Sequence, residues 1–273
     1  MPLAVGVRFK RAGRIYLYDP AGLDLKVGDW IVAEAPYGLA LGWVVLGPRE
    51  IPEGELAEPL KPVLRRAKKE DFEAQERLRE RGKEAVRRCR EVARKLNLPA
   101  KIISADYSLD GKQVLIYFTT AERIDFRAFL KELGESLGAR AKLMQVGARD
   151  AAKLTGGIGK CGMPLCCITH LWQFESITVQ MVRDQNLPLN PERLSGICGR
   201  LLCCLGFEHE FYAEIQRRAP KPKDRVLTPQ GPGEVIEVNF LRETAKVLTE
   251  EGKIAVFPLE EVKPLPQGKE DIS

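Results

Sequence analysis

Short runs in which apolar and polar residues alternate open the chain and predict β-strands. VGVRFK and RIYLY predict one antiparallel pair around residues 11–13, and DWIVAEA and ALGWVVL predict another around residues 36–38. The segment from Ile51 to about residue 68 is rich in proline and has no clear period, so it predicts a linker. These patterns indicate an N-terminal β module at residues 1–60.

Helical spacing replaces the alternation in the following segment. A long basic helix is predicted, and its apolar positions are Ala85, Val86, Cys89, Val92, Ala93 and Leu96. KIISADYS and QVLIYFTT then flank an Asp-Gly turn, a second helix runs from about Asp125 to Leu137, and AKLMQVG predicts a strand. Helix, hairpin, helix and strand together predict a central α+β layer that resembles a ferredoxin-like sandwich at residues 61–154.

The C-terminal segment returns to short strands bounded by glycine and proline. DRVLT, GEVIEVN, TAKVLTE and KIAVFPLEEV predict a small SH3-like β barrel at residues 220–273. Residues 155–219 are rich in cysteine and glycine and form a separate, inserted segment, predicted to be a cluster-binding region. The predicted fold class is therefore α+β, with a β module at each end.

Charge is concentrated in one part of this 273-residue chain. Residues 61–100 carry 14 basic and 7 acidic side chains, a net charge of +7, whereas the whole chain has +5. Such a helix is either a solvated, salt-bridged surface or a surface for RNA or an acidic partner. The N-terminal residues lack the features of a signal peptide, and no apolar run approaches the length of a membrane span, so we expect a cytoplasmic protein without membrane insertion.

Six of the seven cysteines form two matching triplets. GKCGMPLCC in the first copy aligns with GICGRLLCC in the second, and the displacement is 37 positions. The triplets are Cys161, Cys166 and Cys167, and Cys198, Cys203 and Cys204. Because the cytoplasm keeps thiols reduced, this grouping predicts metal or cluster ligands in preference to disulfides.

The spacing within each triplet favours an iron–sulfur cluster over zinc. Structural zinc sites use cysteine pairs two to four residues apart, whereas a cluster offers several irons to neighbouring sulfurs. A four-iron cluster takes four ligands and each triplet supplies three, so a histidine, a shared cysteine or a partner thiolate must complete each set. His170 and His209 follow the triplets and are candidates, although a surface or capping role fits them as well. Cys89 lies on the apolar stripe of the basic helix and is predicted to be core.

No catalytic arrangement is visible in the sequence. There is no nucleophile beside a base, no spaced carboxylate pair and no dinucleotide-binding fingerprint. The sequence therefore predicts a protein that is not an enzyme.

Residues 155–208 resemble the signature region of the bacterial RicT (YaaT) family, a region also found in a eukaryotic polymerase-suppressor protein. The shared features are both cysteine triplets, the GGIG lead-in, the QNLPLNP segment at 185–191 and the SG-CGRL-CC repeat. The resemblance extends more weakly over VGVRFKRAGRIYLYDP and LKVGDW.

The resemblance implies a non-catalytic subunit that joins two small helical proteins, RicA and RicF, in a complex holding iron–sulfur clusters of the 4Fe-4S type. It further implies action with ribonuclease Y in mRNA maturation, and an influence on sporulation, competence and biofilm development. The cluster ligands would be drawn from Cys161, Cys166, Cys167, Cys198, Cys203 and Cys204, and this chain departs from the family pattern at none of them.

Two other functions stay open from the residues alone. The first is a zinc-stabilised nucleic-acid-binding protein, in which the cysteines are structural and the basic helix and terminal barrels contact RNA. The second is an electron-transfer or thiol-redox enzyme, which is the weaker candidate because nothing in the sequence forms a second cofactor or substrate site.

Overall fold

The computed structural model describes residues 2–52 and 59–265, and the chain divides into two compact units. The first unit comprises Met1–Phe174 and Ser195–Arg200, and the second comprises Glu175–Leu194 and Leu201–Ser273. The class is mixed α+β, as predicted. The finer division into four domains stays a prediction.

A closed barrel of five strands begins the first unit. Its strands are β1 (Leu3–Arg8), β2 (Tyr16–Asp19), β3 (Trp30–Ala35), β4 (Gly38–Glu50) and β5 (Lys61–Arg66). The two predicted antiparallel pairs are confirmed, since β1 pairs with β2 and β3 pairs with β4. The predicted linker is wrong at its end, because β5 lies within it; residues 53–58 of that linker fall outside the described residues.

Closure of the barrel depends on β5. This strand pairs in parallel with β2, at Tyr18 and Lys61, and antiparallel with β3, while β1 and β4 complete the ring. Inward side chains from all five strands fill the interior, among them Val5, Ile31 and Val63, which are at most 1% exposed. The barrel is therefore a packed core.

The central layer of the first unit is a three-stranded sheet covered by helices. Its elements are α1 (Lys69–Lys95), β6 (Lys101–Tyr107), β7 (Gln113–Thr119), α2 (Arg127–Leu137) and β8 (Arg140–Gln145). The order is β6-β7-β8, with β6 and β7 antiparallel and β7 and β8 parallel. A ferredoxin-like sandwich has four strands, so that finer prediction is not confirmed within the described residues.

The apolar stripe of α1 packs on this sheet as predicted. Ala85, Cys89 and Ala93 are buried, and they join Phe129 and Leu133 of α2 in one core cluster. Burial raises the pKa of the Cys89 thiol to about 12, so this cysteine is a neutral core residue.

About one turn before Ala85 on α1, the backbone at Gly82 packs closely against β6. A Cβ atom at this position would lie 2.4 Å from the carbonyl oxygen of Ala105 in β6. Glycine is therefore required by space here.

Many cations of α1 have structural partners. Arg81, Arg88 and Arg90 donate hydrogen bonds to the backbone carbonyls of Leu137, Ser136 and Ile102, and Arg88 also pairs with Glu84 at 2.9 Å. Lys95 reaches Glu132 of α2 at 2.6 Å. These contacts make much of the basic surface a scaffold that fixes α1 on the sheet.

Asp71 joins the end of the barrel to the start of α1. It accepts two hydrogen bonds from the Arg65 guanidinium, at 2.6 and 2.8 Å, and one from the backbone N–H of Lys68. The hydrogen bond from Arg65 is the main cause that lowers the pKa of Asp71 to about 2.

Acid should weaken this junction. A carboxyl whose folded-state pKa is depressed stabilises the fold above its unfolded pKa and loses that contribution as the pH falls. We expect Asp71→Asn to lower the free energy of unfolding at neutral pH by about 1 kcal/mol, because the pair is partly solvated. The difference from the parent should vanish between the ordinary carboxyl pKa of 3.8 and about 2, as measured by urea unfolding at a series of pH values. A difference that persisted at the acid end would mean that the amide disturbs packing instead.

The second unit combines short helices with an antiparallel sheet. The sheet order is β12-β11-β10-β9-β13, and its strands are β9 (Arg225–Thr228), β10 (Gly231–Asn239), β11 (Thr244–Thr249), β12 (Ile254–Pro258) and β13 (Lys263–Pro264). Val226, Val235 and Val247 are the centre of its core. The C-terminal strands are confirmed, but an SH3-like closure is not.

In the described ranges, no helix has both the length and the apolar character that a membrane span requires.

Candidate metal centre

The two cysteine triplets lie in loops with the same backbone conformation. In the first loop Gly159 N–H bonds to Met163 O and Gly162 N–H to Gly159 O; in the second, Gly196 bonds to Arg200 and Gly199 to Gly196. Two more pairs of backbone hydrogen bonds are equivalent. The N–H of Leu165 donates to the carbonyl of Gly157 as Leu202 does to Leu194, and the N–H of Ile168 donates to the carbonyl of Leu165 as Leu205 does to Leu202. Every one of these four pairs is displaced by 37 residues. The sequence repeat is therefore a structural repeat.

Glycine after the first cysteine of each triplet is required by backbone conformation. Gly162 has φ 79° and Gly199 has φ 72°, which is the left-handed region. A Cβ atom at either position would meet nothing within 4 Å, so the dihedral angle and not space selects glycine. This turn sets the direction in which Cys161 and Cys198 leave the loop.

The adjacent cysteine pair begins a helix in both copies. Cys166 and Cys167 start α4 (Cys166–Thr169), and Cys203 and Cys204 start α7 (Cys203–Arg218). Neighbouring residues on a helix point about 100° apart. Accordingly Cys166 is partly exposed, whereas Cys167 is 5% exposed and faces the interior.

Four of the six cysteines belong to the first unit. Cys198 lies in the Ser195–Arg200 segment, which groups with the first triplet and not with the rest of its own. Cys167 is close enough to Cys166 and Cys198 for their charges to influence its pKa. Cys203 and Cys204 belong to the second unit. In the part of the chain that the structure describes, no cysteine is in a disulfide.

The cysteine chemistry fits an iron–sulfur cluster, but the side chains are not gathered into a finished site. Thiols are the donors that such clusters use, and five of these six are at least partly exposed. Among the described residues, however, no three Cys, His, Asp or Glu side chains stand together in a metal-binding group.

Lys153 is the cation that acts on the buried thiol. Burial raises the pKa of Cys167, and the charge of Lys153 opposes that increase. Lys153 lies on α3 (Ala148–Thr155) and donates a hydrogen bond to the carbonyl of Ala12; its own pKa is lowered, mainly by burial. A ligand must lose its proton to bind metal, so Lys153 favours the form of Cys167 that binds.

The two histidines have other contacts. The Nδ1 atom of His170 lies 2.9 Å from the Thr169 hydroxyl, and His170 is exposed. His209 lies in the second unit, with Nδ1 3.8 Å from a carboxylate oxygen of Asp184. The structure does not place either histidine in a metal-binding group.

Part of the QNLPLNP segment has a structural role in the second unit. Gln185 follows α5 (Val179–Asp184) and is buried, and its side-chain amide donates a 2.7 Å hydrogen bond to the carbonyl of Leu205 on α7. Val182, Leu194 of α6 (Pro191–Leu194) and Leu205 form the small core beneath it. This glutamine fixes the helix that begins with the second cysteine pair.

Sequence reasoning did not identify Lys153. It stands in an ordinary amphipathic helix, and only the packing of α3 beside α4 brings it near Cys167. The sequence also did not predict that Cys198 lies in the first unit while Cys203 and Cys204 lie in the second, because nothing in the repeat distinguishes Cys198 from Cys161.

Comparisons with known proteins cover most of the chain. Residues 61–146 match the PSP1 C-terminal conserved region, and residues 176–219 match the third domain of PSP1-like proteins. The stage 0 sporulation protein YaaT of Bacillus subtilis is 36% identical over 259 residues, which is 94% of both chains. An uncharacterised protein of Schizosaccharomyces pombe is 25% identical over 156 residues, 46% of this chain and 21% of that protein. No solved structure matches the chain significantly.

Proposed function

Because this chain belongs to the PSP1-like family that includes the sporulation protein YaaT, we propose that it is a non-catalytic regulatory subunit that carries an iron–sulfur cluster. The observation that carries the proposal is the duplicated cysteine loop, whose backbone hydrogen bonds recur at a displacement of 37 residues. A backbone conformation that occurs twice, with cysteine at the same three positions of the loop, is best explained by a requirement for those thiols as ligands.

Four of the six triplet thiols lie in the first unit, which is the number that one four-iron cluster needs. Cys161, Cys166, Cys167 and Cys198 would supply its four ligands, so the shared cysteine foreseen from the sequence would be Cys198. Cys203 and Cys204 would then be available for a second cluster or for a partner's cluster. Once bound, a cluster supplies a link between the loops that is sensitive to oxygen and to redox state.

Cations of the first unit suit an anionic cluster. Lys153 acts on Cys167, Lys160 precedes Cys161, and Arg200 follows Cys198 by two residues. These positive charges would stabilise thiolates before binding and the negative charge of a cluster afterwards. Because Cys198 comes from the other loop, a shared cluster would tie the two loops together, and cluster loss would release them.

That coupling gives a protein without a visible active site a way to regulate. We propose that the ordered loops are the surface for two small helical proteins similar to RicA and RicF. The assembly would act in the cytoplasm with ribonuclease Y in mRNA maturation and, where the organism sporulates, in developmental control. The supporting observation is the 36% identity to a stage 0 sporulation protein over nearly the full chain.

Metal analysis tests the proposal directly. The full chain, purified without oxygen, should be brown and should contain iron and acid-labile sulfide in comparable amounts, since grouped thiolates favour a cluster. A colourless protein with stoichiometric zinc and no sulfide would overturn it and would support the zinc-stabilised alternative. A protein with neither metal after cluster reconstitution would exclude both.

A further inference from the structure

Three aromatic rings form an exposed cluster on the outside of the N-terminal barrel. Trp30 of β3 and Trp43 of β4 are register partners with ring centroids 5.3 Å apart, and Phe72 of α1 lies 5.2 Å from Trp30. Trp30 is 42% exposed and Phe72 is 39% exposed, while Trp43 is half-buried. Large aromatic residues are mostly buried in folded proteins, so two exposed rings in contact, with a half-buried third beside them, indicate a binding surface.

Positive charge borders this aromatic platform of Trp30, Trp43 and Phe72. Residues 61–69, KPVLRRAKK, carry five cations, of which Lys61, Arg65 and Arg66 form ion pairs with Glu34, Asp71 and Asp29. Lys68 and Lys69 are the cations nearest to Phe72 in sequence. The segment is held against the platform, because the backbone N–H of Ala67 donates a 2.8 Å hydrogen bond to the carbonyl of Trp30. Lys69 is three residues before Phe72, so the two side chains share one face of α1. The Lys69 side chain is 90% exposed, and its Nζ lies 3.9 Å from a carboxylate oxygen of Glu73, a solvated pair that a phosphate can replace.

The platform and its cations fit one class of ligand. Aromatic side chains stack on unpaired bases whatever the sequence, and flanking lysines and arginines bind the phosphates between those bases. A duplex hides the faces of its bases, and a purely anionic ligand has no use for exposed rings. We propose that the platform binds single-stranded RNA by stacking bases on Trp30 and Phe72, with Lys68 and Lys69 on the phosphates. The site is separate from the cysteine loops and does not depend on a cluster.

Intrinsic fluorescence can report this stacking, because two of the three tryptophans of the chain belong to the platform. The full chain carrying Trp172→Phe removes the third signal. An oligouridylate of about 12 nucleotides, within the range of known single-strand sites, should quench the emission, whereas a duplex RNA of equal length and heparin should not.

Substitutions then locate the site. Trp30→Ala and Phe72→Ala should each weaken oligouridylate binding about tenfold, and Trp30→Tyr should restore most of the affinity because a tyrosine ring still stacks. Lys68→Gln and Lys69→Gln, which leave the rings in place, should each reduce the slope of log affinity against log salt by about 0.7.

Matched controls lie elsewhere in the first unit. Tyr37 is 39% exposed at the opposite end of the β3–β4 hairpin, and Tyr37→Ala should leave binding unchanged. Arg87 and Arg94 lie roughly 20 to 35 Å along α1 from Phe72, so Arg87→Gln and Arg94→Gln should also have little effect on the affinity for oligouridylate.

Two results would overturn the proposal. One is the absence of quenching by oligouridylate at low salt, which would leave the platform to a protein partner. The other is equal weakening by the α1 variants and by Trp30→Ala, which would place RNA along the helix. Protein stripped of iron should give the same titration, so failure here is distinct from failure of the cluster proposal.

Discussion

Replacing Cys198 with serine should remove as much iron from the anaerobically purified protein as replacing Cys161, although the two residues come from different copies of the repeat. The reason is that both lie in the first unit with Cys166 and Cys167, and that a four-iron cluster tolerates the loss of a thiolate ligand poorly. Most of the iron and sulfide should be lost in each variant, as measured by metal and sulfide analysis and by the visible absorbance.

Two other cysteines provide the comparison. Cys203 belongs to the same triplet as Cys198 but lies in the second unit. The Cys203→Ser protein should therefore retain clearly more iron than the Cys198→Ser protein. Cys89→Ala removes the buried seventh thiol and should retain all the iron, while the stability of the protein falls by about 1 kcal/mol. If Cys203→Ser instead lost as much iron as Cys161→Ser and Cys198→Ser, the cysteines of the second unit would be ligands on the same footing and the four-thiol set would be wrong.

Gly82→Ala should lower the free energy of unfolding by about 2 to 3 kcal/mol. Alanine in a helix interior is normally better than glycine by about 1 kcal/mol, so propensity alone predicts the opposite sign. Steric overlap decides the outcome, because the new Cβ would lie 2.4 Å from the carbonyl oxygen of Ala105. That oxygen belongs to the backbone of β6, which is held by the sheet and cannot move aside cheaply.

Gly134 is the matched control for this change. It lies within α2, and a Cβ atom there would meet nothing within 4 Å. Gly134→Ala should therefore stabilise the protein by up to about 1 kcal/mol. Urea unfolding, followed by the circular dichroism of the helices, measures the stability of both variants. The dependence of the unfolding free energy on urea concentration should be the same as in the parent protein. A Gly82→Ala protein as stable as the parent would show that α1 can shift on the sheet without loss.

Local pattern was sufficient to predict most individual elements. The hairpins β1–β2, β3–β4 and β6–β7 were recognised because alternating apolar residues flank short turns, and α1 because its stripe of Ala85, Cys89 and Ala93 recurs at helical spacing. The end of α2 was predicted because glycine commonly follows the last turn of a helix, and Gly138 does adopt the left-handed conformation, with φ 58°, that favours glycine there. Each of these signals lies within a dozen residues.

Long-range pairing could not be predicted in this way. The strand β5 reads as KPVLRR, where one proline and three cations hide a single inward apolar residue, Val63. Its parallel partner β2 is more than 40 residues away in sequence, and no local pattern encodes that contact. The central sheet was expected to resemble a ferredoxin-like layer because helix and strand order alone do not fix how many strands pair.

The candidate site shows the same division. The glycine turns and the recurrence of the triplets were evident in the sequence, and both are present in the structure. The grouping of Cys198 with the first triplet and the position of Lys153 depend on how whole segments pack. The aromatic platform was not predicted, because Trp30 and Trp43 occupy strand positions at which an apolar side chain is normally assumed to face inward.

Ring closure in the N-terminal barrel has a consequence for dissecting the protein. Each of its five strands has a hydrogen-bonded neighbour on both sides, so the barrel offers no free edge to which another chain could add a strand. A fragment cut at residue 60 would lack β5 and would expose the backbone of β2 and β3 as two unpaired edges. Such a fragment should self-associate, and the shortest autonomous piece of this end of the chain must extend through Arg66.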